Sequence, residues 1–126
     1  MNEIKDIVDD ISISALESNI KIASIAIVSD SGNLVYQTEN WDLTDYIKSI
    51  INVIQGEKTF ILNKIAFSVV DTKVEGIIAT NNSGMGHVIL VRFQGGIIVS
   101  YAMPQADPSR ALEFLKTHIK SLNGKV

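Results

Sequence analysis

Residues 76–103 hold three β-rich runs joined by two short, glycine-bearing turns, Asn82-Ser83-Gly84-Met85-Gly86 and Gln94-Gly95-Gly96. Turns this short join only antiparallel neighbours, because a parallel pair needs a crossover of about a dozen residues or more. A helix-start signal, Asp107-Pro108-Ser109, follows at once. An antiparallel meander running into a helix argues against a doubly wound nucleotide-binding sheet. It predicts instead a sheet-plus-helices domain of the kind that binds other proteins.

The rest of the chain extends this pattern. Ile4, Ile7, Val8, Ile11 and Ala15 recur at helical spacing and predict an amphipathic first helix of about four turns. Isoleucine is not a strong helix former, so packing must supply most of that helix's stability. Lys21 to Asp30 reads as a strand whose nearly continuous apolarity predicts a central place covered on both faces. Asp30-Ser31-Gly32-Asn33 turns it into a second strand, Leu34 to Thr38. Asp42 is placed to cap a second helix, with Asp45 three residues on and Trp41 and Tyr46 as a hydrophobic staple. Its expected buried stripe is Leu43, Tyr46, Ile47, Ile50, Ile51 and Ile54, and Gly56 is its expected stop. Phe60 to Asp71 reads as two short strands meeting at Asn63-Lys64, and Thr72 to Glu75 as the turn that follows. In the last helix, capped by Asp107 with Pro108 at its first position, Ala111, Leu112, Leu115, Ile119 and Leu122 share one face and Gly124 is the stop. Phe114 and His118 lie on one flank of that face, beside Arg110, Glu113 and Lys116, the composition of a protein-binding patch. Residues 1–126 are thus expected to form a single α+β domain. It is read as a central antiparallel β-sheet of about six or seven strands, flanked by N- and C-terminal helices and by a helix after the first hairpin.

Charge and composition narrow the function classes. The net charge is −3 and the pI near 5.2, so no global basic field attracts nucleic acid. The absence of cysteine excludes disulfides, thiolate zinc sites and cysteine nucleophiles. Asp6, Asp9, Asp10 and Glu17 are incompatible with a signal peptide, and no apolar run is long enough to span a membrane, so a cytoplasmic protein is expected. Gly84-Met85-Gly86 lacks the third glycine of a dinucleotide loop and the Gly-Lys-Ser/Thr of a P-loop, and it opens a strand; it reads as a hairpin corner. His87 and His118 lie far apart without a carboxylate spacing, and no serine sits in a nucleophile elbow. Neither an enzyme, a metal site nor a cofactor is expected. Trp41 and Tyr101 are candidate binding aromatics, Trp41 being accounted for by the staple and Tyr101 left open between core and surface.

Several segments together resemble the profilins. The likeness runs from about Ala23 to Leu122 and is strongest in the hairpin of residues 23–35 (ASIAIVSDSGNLV), in Ile65-Ala-Phe-Ser-Val-Val-Asp and in Ile78-Ala-Thr-Asn-Asn-Ser-Gly-Met-Gly. The resemblance implies an actin-monomer-binding, cytoskeleton-associated module that regulates polymerisation and acts as a monomer. It also implies an actin site made of Thr80, Asn81, Asn82, Met85, His87 and Arg92 from the meander, with Asp107, Arg110, Glu113, Phe114 and Thr117 from the last helix. Profilins usually carry basic residues before the glycine turn, where this chain has Ala79, Asn81 and Asn82. They also grip proline-rich peptides through aromatics on the terminal helices, and some bind phosphoinositides. Residues 1–20 hold no aromatic and the last helix only Phe114, so polyproline binding is expected to be weak or absent. The combination fits a divergent, archaeal profilin. The roadblock/longin-like group, dimeric scaffolds of small GTPases, shares the element order and is the alternative. It usually has three strands after the second helix, against four or five here.

Overall fold

A computed structural model of the protein describes residues 3–38, 41–74 and 76–126. Helix α1 spans Glu3–Glu17, followed by the hairpin of β1 (Ile22–Ser29) and β2 (Leu34–Gln37). A 3-10 turn, Thr44–Tyr46, leads into α2 (Ile47–Ile54). Strands β3 (Thr59–Leu62), β4 (Ile65–Thr72), β5 (Gly76–Thr80), β6 (His87–Phe93) and β7 (Gly96–Ala102) come next, then α3 (Pro108–His118) and a closing 3-10 turn, Ile119–Leu122.

Among the described residues seven strands form one sheet in the order β2-β1-β7-β6-β5-β4-β3, every neighbouring pair antiparallel. Strands 3 to 7 make a continuous meander, and β1 closes against β7. The expected central strand β1 is interior, one place from the outermost strand, and is covered on both faces.

Both faces are covered because two cores share the sheet. On one side Ile4, Val8, Ile11 and Ala15 of α1 join Ala111, Leu112 and Leu115 of α3 over Ile25, Ile27, Ile89, Val91 and Ile98. On the other, Leu43, Ile50 and Val53 pack with Phe60, Leu62 and Phe67 over Ala26, Val28, Val88, Leu90 and Val99. Alternate residues of β1, β6 and β7 therefore enter different cores, which explains why these strands are apolar almost throughout. Each fully buried Ile or Leu contributes about 1.5–3 kcal/mol.

The second helix departs from expectation. It begins at Ile47 behind the 3-10 turn, and no side chain among the described residues caps it. Asp42 Oδ1 instead accepts from the Thr44 N–H at 3.0 Å, a local turn outside the helix. With the helix starting later, Trp41 and Tyr46 are not in staple register. Trp41 pairs with Tyr101, its ring centroid 6.5 Å away. A 3-10 turn advances by about 120° per residue rather than about 100°, which shifts the buried stripe. Val53 is accordingly buried, while Ile47, Ile51 and Ile54 are only half-buried. The end of α2 is as expected: Gly56, at φ +117°, donates to Val53 O at 3.1 Å, and Glu57 donates to Asn52 O at 3.0 Å.

Asn63 and Lys64, at φ 49° and 70°, make the two-residue β3–β4 turn, the conformation whose twist matches the paired strands. The expected turn end at Glu75 lies outside the described residues. The apolar face of α3, Ala111, Leu112 and Leu115, is buried as its spacing predicts, Ile119 and Leu122 continue it in the closing 3-10 turn, and Gly124 follows at φ +75°. Its tail docks on the β6–β7 turn: Gln94 N–H donates to Asn123 Oδ1 at 2.7 Å, and Gly124 N–H to Gln94 O at 2.9 Å.

Candidate protein-binding face

The two terminal helices cover only part of their side of the sheet. α1 packs on β1, and α3 on β6 and β5, with Leu112 lying over Gly76. β4 and β3 extend beyond them. The pairing register shows which side chains point there. Ile78 belongs to the helix-covered core, and Thr80, two residues on, shares its face. Thr80 pairs with Ser68 and His87, Ser68 with Thr59, and Ala66 with Ile61. Ile61, Ala66, Ser68, Thr80 and His87 therefore form one uncovered stripe. Ile61 is 54% exposed, and Val70, in the bulge between Val69 and Asp71, is 61% exposed. Thr80 Oγ1 and His87 Nδ1 share a hydrogen bond of 2.9 Å that fixes the imidazole at the rim of this stripe.

The β5–β6 turn borders the stripe, and Asn81 builds it. Its Oδ1 accepts from the N–H groups of Ser83 at 2.8 Å and Met85 at 3.0 Å, and its Nδ2 donates to Ala66 O at 2.7 Å. Tyr101 closes the turn from behind by donating its hydroxyl to Met85 O. A Cβ on Gly86, at φ +111°, would lie 2.7 Å from the Tyr101 hydroxyl and from Ala102 O. The glycine pair thus serves backbone conformation and close packing. Asn82 and Met85 are exposed. Among the described residues the Asn82 side chain makes no hydrogen bond.

The remaining residues expected at the site are engaged with other partners. Arg92 shares its face with Val88 and Leu90, on the α2 side of the sheet, and donates to Ile54 O at 3.2 Å. Asp107 is the helix cap, accepting from Ser109 N at 3.0 Å and Arg110 N at 3.3 Å. Arg110 also donates to Ser18 O at 2.8 Å, which directs it toward α1. Phe114 stacks on His118 at 4.1 Å, and both line a shallow hollow with Ser18 and Ile20. Glu113 and Thr117 are exposed at the border of that hollow, Glu113 bonded to Lys116 at 3.0 Å. The structure therefore brings Thr80, Asn81, Asn82, Met85 and His87 together, turns Arg92 to the other face of the sheet, and directs Arg110 and Phe114 toward the end of α1.

Sequence reasoning did not single out Ile61, Ala66, Ser68 and Val70. In β3 and β4 the apolar residues run on both faces, so alternation alone does not show which side lacks a helix. The stripe has the chemistry of a contact surface, aliphatic side chains beside hydroxyl, amide and imidazole groups. The carboxyl of Asp42, on a different part of the chain, is held below its usual range by hydrogen bonds from Thr44 and Gln37.

No protein-family model matches the chain. Loki profilin-2 of Lokiarchaeum sp. (strain GC14_75) is 30% identical over 132 aligned positions, covering 95% of this chain and 95% of that protein. Thor profilin of Thorarchaeota archaeon (strain AB_25) is 25% identical over 109 residues, 83% of this chain and 85% of that protein. A solved structure, the LokiProfilin2/rabbit actin complex, matches with a TM-score of 0.88 and 26% identity over 100% of this chain and 99% of that one. Acanthamoeba castellanii profilin IB shares the fold, with a TM-score of 0.70 at 16% identity over 86% of this chain and 90% of that one. Among the described residues five strands follow α2, as the profilin reading requires and the roadblock alternative does not. With its sheet order, its paired terminal helices and this full-length similarity, the chain belongs to the profilin family.

Proposed function

We propose that this chain binds actin monomers through the uncovered stripe of β3, β4 and β5 and thereby regulates their polymerisation. The observation that carries this reading is an exposed aliphatic stripe, Ile61, Ala66 and Val70, on a fold similar along its whole length to one solved in complex with rabbit actin. Thr80, His87, Asn82 and Met85 border the stripe as contact residues, while Asn81 holds the turn that presents them. The helix residues enter unequally. Asp107 is a rim position, and Arg110, Glu113, Phe114 and Thr117 share the hollow beside the end of α1. Arg92 lies outside the contact. No catalysis is part of this reading, and the protein acts as a cytoplasmic monomer. Polyproline binding is weak or absent: α1 carries no aromatic ring among its described residues, and Phe114 and His118 stack on each other.

Actin assembly followed by pyrene fluorescence tests the reading. Wild type is expected to slow assembly, and Ile61→Asp with Val70→Asp to weaken that effect about tenfold or more without lowering Tm, because both side chains are exposed. If wild type changes the assembly of no actin, including that of its own source, the function is wrong. If wild type acts and the double variant acts equally, the face is wrong.

A further inference from the structure

On the α2 side of the sheet, away from the stripe, the β3–β4 hairpin and the segment before α2 enclose a hollow of about 360 Å³. This lies within the range of about 300–1,000 Å³ typical of small-ligand cavities. Trp41, Tyr101 and Phe67 line it with aromatic rings, Asp42 is among its lining residues, and no lysine or arginine lines it among the described residues. Trp41 and Tyr101 are each tethered by a hydrogen bond in the plane of the ring. With the Asn63 amide oriented to satisfy both its neighbours, its Oδ1 accepts from Trp41 Nε1 at 2.9 Å and its Nδ2 donates to Asp42 O at 2.9 Å. Tyr101 is held through its hydroxyl by Met85 O. Hydrogen bonds in the ring plane fix the rings without engaging their electron-rich faces. The two planes meet at 52°, the beginning of a cage rather than a stack.

We propose that this hollow is a binding site for an organic cation, a guanidinium group such as an arginine side chain presents. Ring faces attract cations through their quadrupole, most strongly for tryptophan, and a guanidinium is flat enough to lie against them. The carboxylate of Asp42 supplies the opposite charge. The site is independent of the actin reading, since it uses the other side of the sheet.

The chain holds a single tryptophan, Trp41, so its emission reports on this hollow alone. The probes are N-acetyl-arginine methylamide and its neutral isostere N-acetyl-citrulline methylamide. Saturable change with the arginine probe is expected, with citrulline about tenfold weaker. Asp42→Asn, which keeps the acceptor for Thr44, is expected to weaken the arginine probe by a similar factor of about tenfold. Equal response to the two probes, or no saturable response to arginine, overturns the proposal. The comparison of probes on wild type decides it even where the variant fails to fold.

Discussion

Replacing Asn81 by alanine removes three hydrogen bonds at once, to Ser83 N, Met85 N and Ala66 O. At about 1 kcal/mol each, the loss is bounded near 3 kcal/mol. Two of the partners lie in an exposed turn where water can replace the lost acceptor. About 2 kcal/mol is therefore expected. A chain of this length unfolds with an entropy that converts this into a fall in Tm of about 8 °C. Asn82→Ala, next along the chain, removes no hydrogen bond among the described residues and is expected to change stability by less than about 0.5 kcal/mol. Thermal unfolding by circular dichroism measures both. Asn81→Asp adds a discriminating case: it keeps the acceptor for Ser83 and Met85 but turns a carboxylate oxygen on Ala66 O, so it is expected to destabilise as well. The reasoning fails if Asn81→Ala melts within about 2 °C of wild type.

Gly86→Ala places a Cβ 2.7 Å from Ala102 O at a positive φ, and a loss of about 2 kcal/mol or more is expected in urea unfolding. Asp107→Ala removes the cap of α3 and is expected to cost about 1 kcal/mol by the same measurement. Asp42 has a lowered pKa in the folded protein, so its stabilisation is present above the unfolded carboxylate pKa of about 4 and lost as pH falls through the lower folded value. Asp42→Asn is therefore expected to flatten the acid limb of a stability–pH curve and leave the neutral limb in place.

The meander was legible because two turns of fixed length leave no other topology, and α3 because its cap, its stripe and its stop agree. The start of α2 was not. Asp42 carries the residue type of a cap, yet its carboxylate serves a turn two residues long, and local sequence does not distinguish the two uses. The site was half-legible for a similar reason. Asn81 and Asn82 are identical in type and adjacent, but only the fold brings Ala66 O within reach of one of them. Ile61 and Val70 look like core residues in the sequence. Their exposure follows from where α3 ends its coverage, a tertiary fact with no local signature.

The short length of β3 has a consequence of its own. A sheet edge with exposed aliphatic side chains is a template for unwanted pairing with another chain, the first step of aggregation. Here that edge offers four residues, Thr59–Leu62, between the exposed lysines Lys58 and Lys64, and the opposite edge, Leu34–Gln37, is equally brief. A foreign strand could extend neither ladder far before meeting charge or running out of backbone. The protein can therefore keep Ile61 on display without a partner in place, protected from its own kind by the shortness of the strand that carries it.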